Sequence, residues 1–224
     1  MLISTPVFEC ELSQDVNRET LKSENPVTKE DLEKSLHEHL ETVQSLSGET
    51  LDDIEKAGQM ICEVLTSGHK ILLCGNGGSA ADAQHIAAEL VGTYEMKRRS
   101  WPAIALTTDT SALTAVSNDF GYEHVFERQV EGLARPGDLL IAISTSGKSP
   151  NVVCAARKAR GIGCRVVALT GASAGPLSAV SDVTVGVPSS RTSRVQEAHI
   201  TIGHLWCEMV DALNQVPSDS KRSA

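Results

Sequence analysis

Large aromatic side chains are almost missing from this chain: two tryptophans, two tyrosines and three phenylalanines, 3% of 224 residues. That excludes a sandwich core built around rings and leaves aliphatic packing between helices and a sheet as the means of burying surface. No apolar run is long enough to span a bilayer. The opening residues, "MLISTPVFECELSQDVNRE", have neither the basic start nor the long apolar core of a secretory leader, so a soluble, cytoplasmic setting is expected. Positive charge is in deficit, with a net charge of -9, which argues against broad electrostatic binding to nucleic acid or an anionic membrane. A small anionic ligand stays possible, because a local pocket can oppose the global sign. No two of the six cysteines (Cys10, Cys62, Cys74, Cys154, Cys164, Cys207) form a C-x-x-C, and five lie in apolar segments. Buried reduced thiols are the expectation, not disulfides.

The pattern along the chain is that of one α/β domain. Residues 1–27 are polar and aperiodic, and read as a loosely held extension; 28–216 read as a single domain, and 217–224 as a disordered tail. Leu32, Leu36, Leu40 and Val43 recur at helical steps, and after "SLSGET" so do Ile54, Ala57, Met60, Ile61, Val64 and Leu65. This helical pair either covers the sheet or packs on another subunit. From Lys70 the runs "KILLC", "PAIAL", "DLLIAIS", "CRVVALT" and "DVTVGV" each precede a turn or a helical segment. Short buried strands alternating with helices predict a parallel sheet flanked by helices. A last helix spans Arg194 to about Asn214, with Val195, Ile202, Leu205, Met209 and Leu213 as its apolar face.

Two turns after strands carry candidate chemistry. In "LLCGNGGSAADAQHIAAEL" the glycines fit a nucleotide loop, a sugar-phosphate site or a plain tight turn, and Gly75-x-Gly77-x-x-Ala80 satisfies a permissive dinucleotide pattern. In "LLIAISTSGKSPN" the hydroxyls of Ser144, Thr145, Ser146 and Ser149 surround Gly147 just before a helix start, a combination suited to a phosphomonoester. An ordinary helix cap needs only one or two such hydroxyls. The "GKS" is not a Walker A loop, since Ala142 stands where the first glycine is required. His85 and Glu89, four apart, share a helix face and could be metal ligands, an acid/base pair or a surface contact. "RVQEAHITIGHLW" places Gln196 and His204 eight apart, about 80° around a helix, so both can lean toward one pocket.

"CGNGGSAADAQHIAAEL", "AVSNDFGYEHVF", "ISTSGKSPNV" and "RVQEAHITIGH", in this order and spacing, resemble the phosphoheptose isomerases of the sugar isomerase (SIS) domain superfamily over roughly Leu32 to Asp211. The resemblance implies a flavodoxin-like α/β fold, a homotetramer with sites at subunit junctions, and conversion of D-sedoheptulose 7-phosphate to D-glycero-D-manno-heptose 7-phosphate. It implies that Asn76, Gly77, Gly78, Asn118 and Asp119 line the sugar phosphate and that Ser144, Thr145, Ser146 and Ser149 hold its phosphate. Glu89 and Gln196 also belong to the implied substrate site. His85, Glu89, Gln196 and His204 match the positions that bind one zinc ion per subunit, and Glu89 and His204 match the acid/base pair. A tightly coordinated Glu89 could not also serve freely as a base, so the ion's role as catalytic or organising stays open.

Two positions depart from the family pattern. Thr93 stands where an arginine is frequent, and Ser193 where an aspartate is frequent three residues before the glutamine. A catalytically silent regulator within the same superfamily is the main alternative, but such relatives tend to replace the catalytic carboxylate and histidine, and both are present here. A dinucleotide enzyme needs an acidic residue about 20 positions beyond the glycines, at the end of the second strand. That strand arrives only near residue 103, and Asp109 comes later still.

Overall fold

The five apolar runs become five strands in the computed structural model, which describes residues 26–213. They are β1 (Ile71–Cys74), β2 (Ala103–Ala105), β3 (Leu139–Ile143), β4 (Arg165–Thr170) and β5 (Val183–Gly186). All pair in parallel in the order β2-β1-β3-β4-β5. The helices are α1 (Lys29–Gln44), α2 (Glu49–Thr66), α3 (Gly78–Val91), α4 (Thr110–Phe120), α5 (Val125–Leu133), α6 (Pro150–Ile162), α7 (Gly175–Ser178) and α8 (Thr192–Ala212).

The central strands β1, β3 and β4 read as nearly unbroken apolar runs because both of their faces are covered, whereas the edge strands β2 and β5 alternate in burial. Alternate side chains divide between two cores. Ile71, Leu73, Leu139, Ile141, Val167 and Leu169 pack with residues of α2, α3 and α8. Leu72, Cys74, Leu140, Ala142, Val166 and Ala168 pack with residues of α5 and α6. On α2 five of the six predicted residues, Ile54, Ala57, Ile61, Val64 and Leu65, are buried, and Met60 is only partly so.

On α8 the register of burial differs from the sequence expectation. Val195 and Ile202 are buried, but Leu205, Met209 and Leu213 lie only partly in the core. The deepest places go to Ala198, His199, Trp206, Cys207 and Val210. The cause is a hydrogen bond and a close approach that hydropathy does not register. Trp206 Nε1 donates to the Ile54 carbonyl at 3.0 Å, and Gly203 admits Ile86 against the helix backbone.

By its internal contacts the chain divides into Met1–Leu36 and His37–Ala224. In the first, Thr28 and Asp31 form a reciprocal cap on the first turn of α1, with Thr28 N donating to Asp31 Oδ2 at 2.9 Å and Asp31 N to Thr28 Oγ1 at 3.2 Å. Leu32 and Leu36 are exposed there. In the second, Leu40 is also exposed, while His39 pairs with Glu197 of α8 at 2.8 Å and Glu38 with Arg191. Most of the predicted extension and all of the predicted tail lie outside the described residues.

Candidate active site

A sheet in the order 2-1-3-4-5 changes direction between β1 and β3, and the loops leaving those two strands part to form a crevice at their carboxyl ends. Both glycine and hydroxyl motifs fall on these loops. In the first, Gly77 has φ +55°, a left-handed value that a side chain would strain, and Gly78 then starts α3. The Asn76 carboxamide is engaged. It exchanges hydrogen bonds with Asn151, Nδ2 to Oδ1 at 2.9 Å and the reverse at 2.8 Å, and accepts from the Tyr122 hydroxyl at 3.1 Å. One Nδ2 hydrogen of Asn76 is left for a ligand. Asn151, buried on the first turn of α6, thereby staples the β1 loop to the β3 loop.

The hydroxyl loop is held from below. Ser144 N donates to the Leu169 carbonyl at 2.9 Å, Gly171 N to the Thr145 carbonyl at 3.0 Å, and Leu177 N to the Gly147 carbonyl at 3.2 Å. Gly147 has φ +64°, and a Cβ there would overlap the Ala174 carbonyl, so only glycine fits. Ser144 and Ser149 share a hydrogen bond at 2.9 Å between their hydroxyl oxygens. Thr145 and Ser146, with Lys148, Ser189, Ser190 and Thr192, line a cavity of about 360 Å³. On the other side Asn76, Tyr122, Glu123, Ser149, Asn151 and Cys154 line one of about 570 Å³. Asn118 and Asp119 bond to each other at 2.8 Å at the exposed end of α4.

Helices α3 and α8 lie side by side and run in the same direction, as three contacts show. A Cβ on Gly78 would overlap the Gln196 carboxamide, one on Gly203 would touch Ile86, and His85 meets His204. The two Nε2 atoms of His85 and His204 are 3.0 Å apart. Glu89 Oε1 is 3.4 Å from the same His85 nitrogen. The Tyr94 ring closes the far side, its centroid 5.3 Å from that of His204. The structure thus gathers His85, Glu89 and His204 along one helix seam, with Gln196 nearer its start. Among the described residues no group of three or more His, Cys, Asp or Glu side chains converges tightly enough to hold a metal by itself.

Sequence reasoning did not single out Asn151, Tyr122, Tyr94 or Lys148. Lys148 was available in the rejected "GKS", and "SPN" placed Asn151 at a helix start. The two tyrosines left no periodic signal. Asp82, one turn before His85, was also passed over. Burial pushes its carboxyl up to about 6 against the opposing influence of His85, and its Oδ2 is buried without a partner among the described residues.

The sheet order, the crevice and the hydroxyl loop are those of an SIS domain, and the SIS domain family matches residues 36–171. A phosphoheptose isomerase from Aliarcobacter butzleri is 54% identical over 173 residues, 77% of this chain and 92% of that one. The structure of a phosphoheptose isomerase from Neisseria gonorrhoeae is 43% identical with a TM-score of 0.77, covering 82% of this chain and 98% of its own. One from Francisella tularensis is 34% identical with a TM-score of 0.79, covering 82% and 97%. The chain belongs to the phosphoheptose isomerase family of SIS domain proteins.

Proposed function

We propose that the protein isomerises D-sedoheptulose 7-phosphate to D-glycero-D-manno-heptose 7-phosphate, the ketose-to-aldose step that begins the making of nucleotide-activated heptose. The observation that carries this reading is the meeting of His85, Glu89 and His204 on two parallel helices of the same domain that presents the hydroxyl loop after β3. Ser144, Thr145, Ser146 and Ser149 receive the phosphate. Asn76, Gly77, Gly78, Asn118, Asp119 and Gln196 receive the sugar. Glu89 takes a proton from C1 while His204 supplies one to the carbonyl oxygen at C2, giving an enediol. Return of a proton to C2 and loss of the O1 proton then leave the aldehyde at C1.

His85, Glu89, Gln196 and His204 would hold a zinc ion. Two imidazoles, a carboxylate and a carboxamide oxygen are a donor set such an ion accepts. The spacings of 3.0 and 3.4 Å around His85 Nε2 bracket the roughly 3.3 Å expected between ligand atoms at opposite ends of a tetrahedral edge. When bound, the ion would order these side chains as a template, and Glu89 and His204 would move protons only while they are not tightly coordinated. We further propose a cytoplasmic homotetramer with sites at subunit junctions. Among the described residues the cysteines are free, as a reducing compartment would keep them, and Leu40 is an exposed apolar side chain on α1.

The test is an isomerase assay of wild type, Glu89→Gln and His204→Gln, each with and without a chelator, beside light scattering for the assembly. Loss of about 100-fold or more in kcat is expected for either substitution. Full activity in both would sink the acid/base roles. Binding of sedoheptulose 7-phosphate by a wild type that never turns it over would favour the regulator reading.

A further inference from the structure

Arg98 lies in "KRRS", a basic run of the kind that usually meets solvent, yet its side chain is fully buried. Four backbone carbonyls and a carboxylate explain why. Nη2 donates to the Glu89 carbonyl at 2.7 Å, and Nη1 to those of Leu90 at 2.9 Å, Gly92 at 3.2 Å and Arg99 at 3.2 Å. These include acceptors that the end of α3 leaves unfilled within the helix. Nε donates to Asp211 Oδ1 of α8 at 2.6 Å. The other Asp211 oxygen accepts from Glu95 N and Met96 N, both at 3.0 Å. Burial alone would raise the Asp211 carboxyl, but Arg98 and the two amides hold it below the ordinary carboxylate value.

The clamp therefore joins three segments. One is the end of α3 at the backbone of Glu89. A second is the strap that carries Tyr94 beside His204. The third is α8 at a position seven residues, or two turns, beyond His204 on the same helix face. We infer that Arg98 and Asp211 are positioning residues that set the separation of Glu89 from His204 and press Tyr94 onto the imidazole. A lysine at 98 has one nitrogen and cannot donate to Asp211 and to the Glu89 and Leu90 carbonyls in a fixed fork. A buried pair of this kind fixes register more than it adds stability, and reacting groups lose rate steeply when displaced by an ångström.

The kinetic arm of this inference rests on the isomerase reading; its spectroscopic arm does not. Arg98→Lys is compared with Val166→Ala, a core truncation near the start of β4 on the opposite face of the sheet, at a temperature where both are fully folded. Arg98→Lys should lower kcat about tenfold or more with KM within about twofold of wild type. It should also move the NMR signals of the His85 and His204 rings. Val166→Ala should do neither. If Arg98→Lys does not fold, Asp211→Asn takes its place, since it keeps shape but cannot accept from both Arg98 and the strap amides. Unmoved histidine signals overturn the inference whatever happens to kcat, and moved signals with unchanged kcat overturn its catalytic part. A wild type that fails to turn over sedoheptulose 7-phosphate refutes the activity instead, and the ring signals alone then decide the clamp.

Discussion

His199 should make the fold measurably weaker as pH falls from 7.5 to 5.0. Its ring is fully buried on α8, where Nε2 faces the Thr170 carbonyl at 3.0 Å. A carbonyl only accepts, so Nε2 carries the hydrogen and the ring is neutral. Nδ1 is buried with no partner among the described residues, so a proton added there would create an unsatisfied buried cation. Burial accordingly pushes the ring down to about 4, only partly countered by the Thr170 carbonyl. The folded value lies below the unfolded one of about 6.5, so the unfolded chain binds the proton first. The contribution is complete above about pH 6.5 and is lost as pH falls toward 4, at about 1.4 kcal/mol per pH unit. Between pH 7.5 and 5.0 that amounts to roughly 2 kcal/mol. Asp82 acts with the opposite sign: its carboxyl, raised to about 6, takes up a proton in the folded state and gains stability over the same range. The slope of the wild type alone is therefore not diagnostic. His199→Gln keeps a donor for Thr170 and removes the titration, and its difference from wild type cancels Asp82. Urea unfolding of both proteins at each pH should show wild type losing about 2 kcal/mol more than the variant. A difference that stays constant within about 0.5 kcal/mol would refute the assignment of a neutral, buried ring.

Two glycines give sharper tests of the loops. Ala at 78 would overlap only the far end of Gln196, a flexible side chain. Gly78→Ala should thus shift the melting temperature by less than about 4 °C while reducing activity and zinc retained after dialysis; unchanged retention would separate Gln196 from the metal. Ala at 147 meets a backbone carbonyl from a left-handed φ, so Gly147→Ala should cost about 1–3 kcal/mol and raise KM by displacing Ser146 and Ser149. An unaltered KM would show that this loop does not hold the phosphate.

How much of this was legible in the sequence depends on whether the determining partner is local. The central strands were legible because both-face burial writes them as nearly unbroken apolar runs, "DLLIAIS" and "CRVVALT" most plainly. The facing of His85 and Glu89 followed from the helix period alone, and the structure has them 3.4 Å apart. The meeting of His85 with His204, 119 residues away, could not follow from either spacing, because it depends on α3 and α8 running parallel. The burial register of α8 was misjudged for a related reason. Leu205 and Met209 have the hydropathy of core residues, but Gly203 and Trp206, by close approach and by one hydrogen bond, rotate a different stripe inward.

Arg98 is the extreme case. Its charge, its two basic neighbours and its place after a helix all predict a solvated side chain. What reverses that is a set of acceptors, at 89, 90, 92, 99 and 211, that exists only once α3 has ended and α8 has docked. An arginine is costly to bury unless nearly all its donors are met, so a guanidinium this well matched is tied to one arrangement of the two helices. Because those helices carry the candidate base and acid, the residue least visible to hydropathy is also the one whose geometry bears most directly on whether Glu89 and His204 can act on one substrate.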